Sequence, residues 1–241
     1  MSTGMLSAMT MTAHREQPAR APLSRQQVLR AALDYVDQHG LDALSMHKLG
    51  AELGVKAMSL YKHVADKDDI LDGMVGLLWD ELPTEPPTGD WRQAIHQLAA
   101  ALRDLVHRHP HAAPLLTSRQ EIREHPLRIA HGVLRLMRTG GVPEHCAVAL
   151  LRTVFPYGIG YALAELSLPP PPPPGPDREI ALIRQVSGML SPDASDELVR
   201  TALLVCGDCD MTTQFRIGVD LMIRGLDAYL ATLEHDTTPA R

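Results

Sequence analysis

The chain is predicted to be all-α, with a small N-terminal three-helix head and a larger C-terminal helical bundle. Three observations carry that expectation. Leu, Ala and Met are plentiful, and aromatic residues make up only 4% of the 241 residues, a composition that favours helices. Apolar residues recur at i, i+3 and i+4 over long stretches, and no stretch alternates as a half-buried strand would. Prolines and glycines fall between those stretches, at residues 83–89, 140–141 and 169–174, where helices must stop.

The first helix is expected over residues 25–39. Ser24 and Gln27 form a capping box at its start, Val28, Ala31, Ala32, Tyr35 and Val36 make its buried stripe, and Gly40 ends it. The next two dozen residues, 44–67, read LSMHKLGAELGVKAMSLYKHVADK. Ser45 caps a short helix with Leu49 and Leu53 on one face, and Gly54 stands where the chain must turn through positive φ. Val55 plugs the turn. A second short helix is expected over 57–63, with Leu60 and Val64 facing inward. Asp66 caps the following helix, Asp69 takes a capping-box position, and Ile70, Leu71, Met74, Val75 and Leu78 give that helix its apolar side to about residue 81. Helix, glycine turn, helix is the signature of a helix-turn-helix, whose second helix enters a DNA major groove.

PTEPPTG at 83–89 breaks the chain, so the domains are placed at 1–22 (a disordered arm), 23–82 (the head) and 83–241 (the body). In the body, Asp90 caps a helix over 91–109 with Trp91, Ile95, Leu98, Leu102, Leu105 and Val106 on its apolar side. Pro110 and Pro114 leave a short broken helix at Leu115 and Leu116. Pro126 lies in the first turn of a helix running to about 139. A nearly all-apolar helix over 143–168 should be central to the core, kinked at Pro156 and thinned at Gly158 and Gly160. Six prolines at 169–174 make a semi-rigid connector. Asp177 and Asp193 open two further helices, and a last one covers 211–234.

Charge divides along the same line. Residues 1–70 hold eight basic and eight acidic residues, whereas the rest carries the whole net charge of −6. All four lysines (Lys48, Lys56, Lys62 and Lys67) lie inside the helix-turn-helix stretch, where cations meet phosphates, while an acidic body discourages nonspecific DNA binding. Arg15, Arg20 and Arg25 are candidates for minor-groove contact or plain solvation.

Three cysteines fit a reduced, cytoplasmic protein. No apolar run approaches membrane-spanning length, and the N-terminus lacks the plan of a signal peptide, so no membrane partner is expected. Cys206 and Cys209 have CxxC spacing but offer two ligands where zinc takes four, so no metal or cofactor is expected. His107, His109 and His111 flank Pro110 off any single helical face and are expected to be solvated. No nucleophile elbow, phosphate loop, HExxH or paired-carboxylate pattern is present, so an enzyme is not expected. A purely structural bundle is the remaining rival, and it would not need lysines clustered on a glycine-turned helix pair.

With these residues laid out, the chain resembles the TetR family of transcriptional regulators. The resemblance rests on HGLDALSMHKLGAELGV followed by LYKHVADKDDILDGM, and FRIGVDLMIRGLDAYL is similar to the closing helix of the tetracycline-repressor branch. It implies a homodimer that binds a near-palindromic operator in double-stranded DNA and is released by a small-molecule effector. By this resemblance Ala57, Met58, Ser59 and Lys62 face the groove, Tyr61, His63 and Lys67 hold phosphates, and His47 reaches a base edge. Ser45 and Lys56 complete the expected DNA-contacting set.

The resemblance also implies an effector pocket enclosed by the body helices. Leu98, Leu102, Leu116, Met137, Phe155, Tyr157, Tyr161 and Glu165 are the expected lining. Tetracycline repressors bind their magnesium–drug chelate through a histidine near the Leu115 region; AAPLLTS has none, so an apolar or aromatic effector is expected instead. The dimer is expected to form through Val219, Met222, Ile223 and Leu226 with Ile180, Ile183 and Val186.

Overall fold

In the computed structural model, Ser24 opens α1 (Arg25–His39) with the expected capping box: its hydroxyl accepts the Gln27 N–H, and the Gln27 side chain accepts the Ser24 N–H at 2.8 Å. The structure describes residues 22–84, 89–119, 124–170, 172–206 and 210–236. The expected N-terminal arm to residue 21, and Cys209 with its turn, lie outside the described residues. Among the described residues there are eleven α-helices, one 3-10 turn and no β-strand.

The head is α1, α2 (Met46–Glu52), α3 (Ala57–Leu60) and the first turns of α4 (Lys67–Asp80). A 3-10 turn over Leu41–Ala43, not expected from sequence, joins α1 to α2. The buried stripe of α1 is Val28, Leu29, Ala32, Leu33 and Val36, so Leu29 and Leu33 take the places expected for Ala31 and Tyr35. Leu29 is held there by close approach to α4, where its δ-methyls lie over Gly73. Leu44, Leu49, Leu60, Val64, Ile70 and Met74 close the core of the head. Burying a leucine or isoleucine side chain contributes about 1.5–3 kcal/mol, so this small cluster holds three short helices together.

α4 carries the head into the body. Its C-terminal half buries Leu78 and Trp79, and Trp79 meets Phe155 of the body with ring centroids 6.2 Å apart. The body consists of α5 (Trp91–Arg108), α6 (Leu115–Ser118), α7 (Glu124–Thr139), α8 (Glu144–Ser167), α9 (Arg178–Ser187), α10 (Asp196–Cys206) and α11 (Met211–Asp236). Asp90 caps α5 as expected, its carboxylate accepting the Gln93 N–H at 2.9 Å. α10 starts later than expected: the Ser195 hydroxyl, rather than Asp193, accepts an N–H of its first turn, that of Leu198.

α5 and α8 form the central pair. Gly158 is the reason they pack so tightly, since a Cβ there would stand 2.9 Å from Leu102 Cβ. Gly160 faces open space and thins nothing. α8 continues through Pro156 as one 24-residue helix. By length and composition it reaches what a membrane span requires, which corrects the expectation from sequence. In this fold its apolar residues are core: Cys146, Leu150, Leu151, Val154, Ile159 and Ala162 are buried against α5, α7 and α11. α7 runs along one side of this pair and α11 along the other.

Candidate functional site

The recognition segment is shorter than expected. α3 ends at Leu60, and residues 61–63 continue as a turn in which Leu60 O accepts the N–H groups of His63 at 2.8 Å and Val64 at 3.0 Å. The turn before α3 is as expected: Gly54 has φ +65°, and the Val55 N–H bonds back to Gly50 O at 2.8 Å. Gly50 itself was missed. A Cβ on it would lie 2.9 Å from Val55 O and 3.1 Å from Ala57 N, so α2 and α3 meet backbone to backbone at this glycine. Its signal in the sequence is only a glycine inside a short helix.

Leu60 and Val64 anchor the segment from beneath, which turns the opposite side outward. Met58 is 74% exposed and Tyr61 48% exposed, so neither packs inside the head. Lys56, Lys62, Lys67 and, on α2, His47 and Lys48 are exposed as well. Ala57, Ser59 and His63 are half-buried. Ser45 is half-buried and its hydroxyl caps α2, accepting the Lys48 N–H at 3.3 Å. The expected DNA-contacting residues are therefore all exposed or half-buried, and all four lysines of the chain are exposed.

An ion pair fixes the loop behind this surface. Arg25 was expected to reach a minor groove or to be solvated; here it grips Asp69 with both guanidinium nitrogens and donates to His63 O at 3.1 Å. Asp69 also accepts the Ala65 N–H at 2.8 Å, and Asp66 caps α4 by accepting the Asp69 N–H. The Arg25 hydrogen bond, then that from Ala65, hold the Asp69 carboxyl down at about 2.

In the body, the expected effector-lining residues fall in three places. Leu98, Leu102, Leu116 and Met137 are buried core. Phe155 borders an apolar groove of about 290 Å³ between α7 and α8, with Ala130, Leu134, Val148, Leu151 and Arg152. Tyr157 and Tyr161 meet Phe215 of α11 with ring centroids 5.2 Å away in each case, and their hydroxyls donate to Phe215 O and Met211 O. Burial pushes the Tyr157 phenol up. Glu165, at the end of that row, is engaged by Arg103 through two hydrogen bonds and by His107 at 2.6 Å. The expectation that His107, His109 and His111 are solvated is corrected for His109, which is half-buried between Asp37 and Glu81; His107 and His111 are exposed, each also bonding a protein oxygen.

Two further openings flank α11. One, about 410 Å³, is bordered by His145, Cys146, Leu150, Met222, Leu226 and Tyr229; the other, about 380 Å³, by His96, Arg103, Asp104, Phe215 and Arg216. Of the residues expected at a dimer contact, Val186, Val219 and Ile223 are buried within the subunit. Ile180 and Ile183 are exposed, and Met222 and Leu226 half-buried at the first opening. Among the described residues no group of three or more His, Cys, Asp and Glu side chains is arranged to hold a metal ion.

Comparison with known proteins places both halves. The model of the bacterial regulatory proteins of the tetR family matches residues 28–74, and that of the tetracyclin repressor-like C-terminal domain matches residues 82–230. The chain belongs to the TetR family of transcriptional regulators. An HTH-type transcriptional regulator of Saccharopolyspora erythraea is 30% identical over 68% of this chain and 70% of its own length. The HTH-type transcriptional repressor DrrR1 of Streptomyces coeruleorubidus is 32% identical, but the match covers 62% of this chain and 57% of that repressor. The crystal structure of a possible TetR family regulator from Streptomyces coelicolor A3(2) is similar at TM-score 0.68 and 27% identity, covering 86% of this chain and all of that one. ActR of the same species, solved in complex with actinorhodin, is similar at TM-score 0.68 and 25% identity, covering 86% of this chain and 97% of that one. As a TetR-family regulator with a helix-turn-helix, the chain is a DNA-binding protein and not an enzyme.

Proposed function

We propose that this TetR-family chain is a cytoplasmic repressor that binds a near-palindromic operator as a homodimer and leaves it when a small, largely apolar or aromatic molecule binds the body. The observation that supports this best is the outward surface of the recognition segment, held rigid from behind by Arg25 and Asp69. On it, Met58 and Ala57 suit apolar contact with a thymine methyl, while Lys62 and Ser59 offer donors to base edges or phosphates. Tyr61, His63 and Lys67, with Lys56 and Ser45, offer donors that fix register on the phosphates, and His47 reaches a base edge.

The effector reading draws support from the ActR complex with actinorhodin and from the apolar character of the body. Its lining would come from Leu98, Leu102, Leu116, Met137, Tyr157, Tyr161, Glu165 and Phe155, the last of which borders the α7–α8 groove. Pockets of this kind are mostly apolar with a few polar groups that orient the ligand. For the dimer, the exposed apolar side chains Ile217, Leu221 and Tyr229 of α11 join Met222, Leu226, Ile180 and Ile183. A two-fold dimer sets two recognition segments about 34–36 Å apart or a multiple of it, hence the near-palindrome. Effector release then requires that the ligand favour a state with different spacing.

The test is titration of planar aromatic compounds into a complex of the purified protein with a duplex it selects, followed by light scattering of the free protein. Release by a subset of compounds from a dimer of twice the chain mass supports the proposal. A monomer, or release by none of them, counts against it.

A further inference from the structure

Where the head joins the body, two histidines each meet two hydrogen-bond acceptors. His109, at the end of α5, places Nδ1 2.6 Å from Asp37 Oδ2 of α1 and Nε2 2.9 Å from Glu81 Oε1 at the end of α4. His125, in the first turn of α7, places Nδ1 3.0 Å from Asp80 Oδ1 and Nε2 2.9 Å from Leu82 O. A neutral imidazole has one N–H and one lone pair, whereas a carbonyl and an ionised carboxylate only accept. A neutral ring would therefore point a lone pair at an oxygen in each case. Both sites, as built, need one proton more than a neutral histidine between ionised partners supplies.

Both histidines grip the same short stretch, Asp80, Glu81 and Leu82, which is the end of the helix that carries the head. We propose that His109 and His125 form a proton-operated clasp, which fixes the head on the body in mildly acidic solution and frees the end of α4 when the added protons leave. His107, His96 and His111 differ in kind, since a neutral ring satisfies their contacts with Glu165, Asp220 and the Asp37 carbonyl.

The charges around the clasp agree with it. His109 faces Asp37 and, beyond it, Asp34 from α1, and Glu81 from α4; Arg108 neutralises part of Glu81 at 3.0 Å, and His111 stands on the far side of Asp37. His125 faces Asp80 from α4, while its neighbour Glu124 is taken by Arg128 on its own helix. Asp37 Oδ1 is buried without a hydrogen-bond partner, and burial raises that carboxyl's hold on a proton. The added proton at this site thus has a home on either partner of the Asp37–His109 pair, and the count is the same. A further head–body tie, Arg119 on Asp68 and Asp72, keeps its charge at any ordinary pH and holds α4 nearer its start.

The sign follows from linkage. The clasped state binds protons that the open state lacks, so its stabilisation is present in mild acid and is lost as pH rises. Trp79, 8% exposed and adjacent to Asp80, is the natural reporter, because Trp91→Phe leaves it as the sole tryptophan. The experiment uses the full chain at about pH 6 and about pH 8.5, either side of an ordinary histidine. Acrylamide quenching of Trp79 should be weak in acid and rise in alkali. In His109→Gln and His125→Gln, whose amide nitrogens meet only one partner, it should be high at both. Long-range ¹H–¹⁵N spectra of the wild type should show two N–H groups on the His125 ring in acid. A neutral His125 ring in acid, or quenching equal at the two pH values, would overturn the clasp even if the variants fail to fold. None of these readings depends on DNA, so failure of the operator proposal is seen separately.

Discussion

Arg25 and Asp69 lie 44 residues apart in sequence and close a two-point ion pair that ties the first turn of α1 to the first turn of α4. Through the His63 carbonyl and the Ala65 N–H, the same pair fixes both ends of the turn that follows the recognition segment. Asp69→Asn should lower stability by about 1 kcal/mol near neutral pH, the size of a well-formed but half-exposed ion pair. Because the Asp69 carboxyl is held at about 2, below the ordinary aspartate range, its contribution is present above that range and is lost as pH falls toward 2. Chemical denaturation at neutral and at acid pH checks this: the gap between wild type and variant should close in acid. A gap that stays constant would mean the pair contributes nothing through its charge.

The two glycines of the helix-turn-helix should fail for different reasons. At Gly54, φ +65° makes any L side chain costly by roughly 1–2 kcal/mol and a β-branched one by more, so Gly54→Val strains the turn itself. At Gly50 the angle is ordinary, and Gly50→Ala instead drives a methyl into the backbone at Val55 and Ala57. Both should reduce DNA affinity while the body stays folded and keeps its oligomeric state. Circular dichroism with DNA titration checks this, and unchanged affinity in Gly50→Ala would show that α2 and α3 have freedom to move apart.

Tyr61→Phe and Lys67→Ala should weaken binding on all sequences alike, because phosphate contacts carry no sequence information. For Lys67→Ala the slope of log affinity against log salt should also flatten by about one unit. Titration of matched and mismatched duplexes at several salt concentrations is the check. A loss confined to one base position would reassign these residues to base reading.

Leu226→Asp should give monomers by light scattering without unfolding the subunit, since Leu226 is only half-buried while Val219 and Ile223 supply the buried side of α11. A variant that remains dimeric would move the interface away from the opening between α8 and α11.

What was legible in the sequence was local. Ser24, Ser45, Asp66 and Asp90 each cap the helix that follows because a cap needs only the residues two or three positions on. Gly54 was legible because a helix stop has one residue's worth of geometry. The surface of the recognition segment followed from Leu60 and Val64, whose burial fixes the opposite face. What stayed hidden was tertiary. Nothing near Arg25 names Asp69 as its partner, and the pattern around His109 reads as solvated until α1 and the end of α4 are brought beside it. Val219, Ile223 and Val186 look the same in sequence whether a helix of the same chain or of a partner covers them. Composition could not separate α8 from a membrane span either; only its neighbours α5, α7 and α11 do.

The most direct measurement is selection of duplexes from a random pool by the purified full-length protein at a stated salt concentration. Enrichment of a near-palindrome, with half-sites about one helical turn apart or a multiple of it, is the expected result. A pool that shows no enrichment, with affinity that follows salt alone, would contradict sequence reading by the Met58–Tyr61 surface.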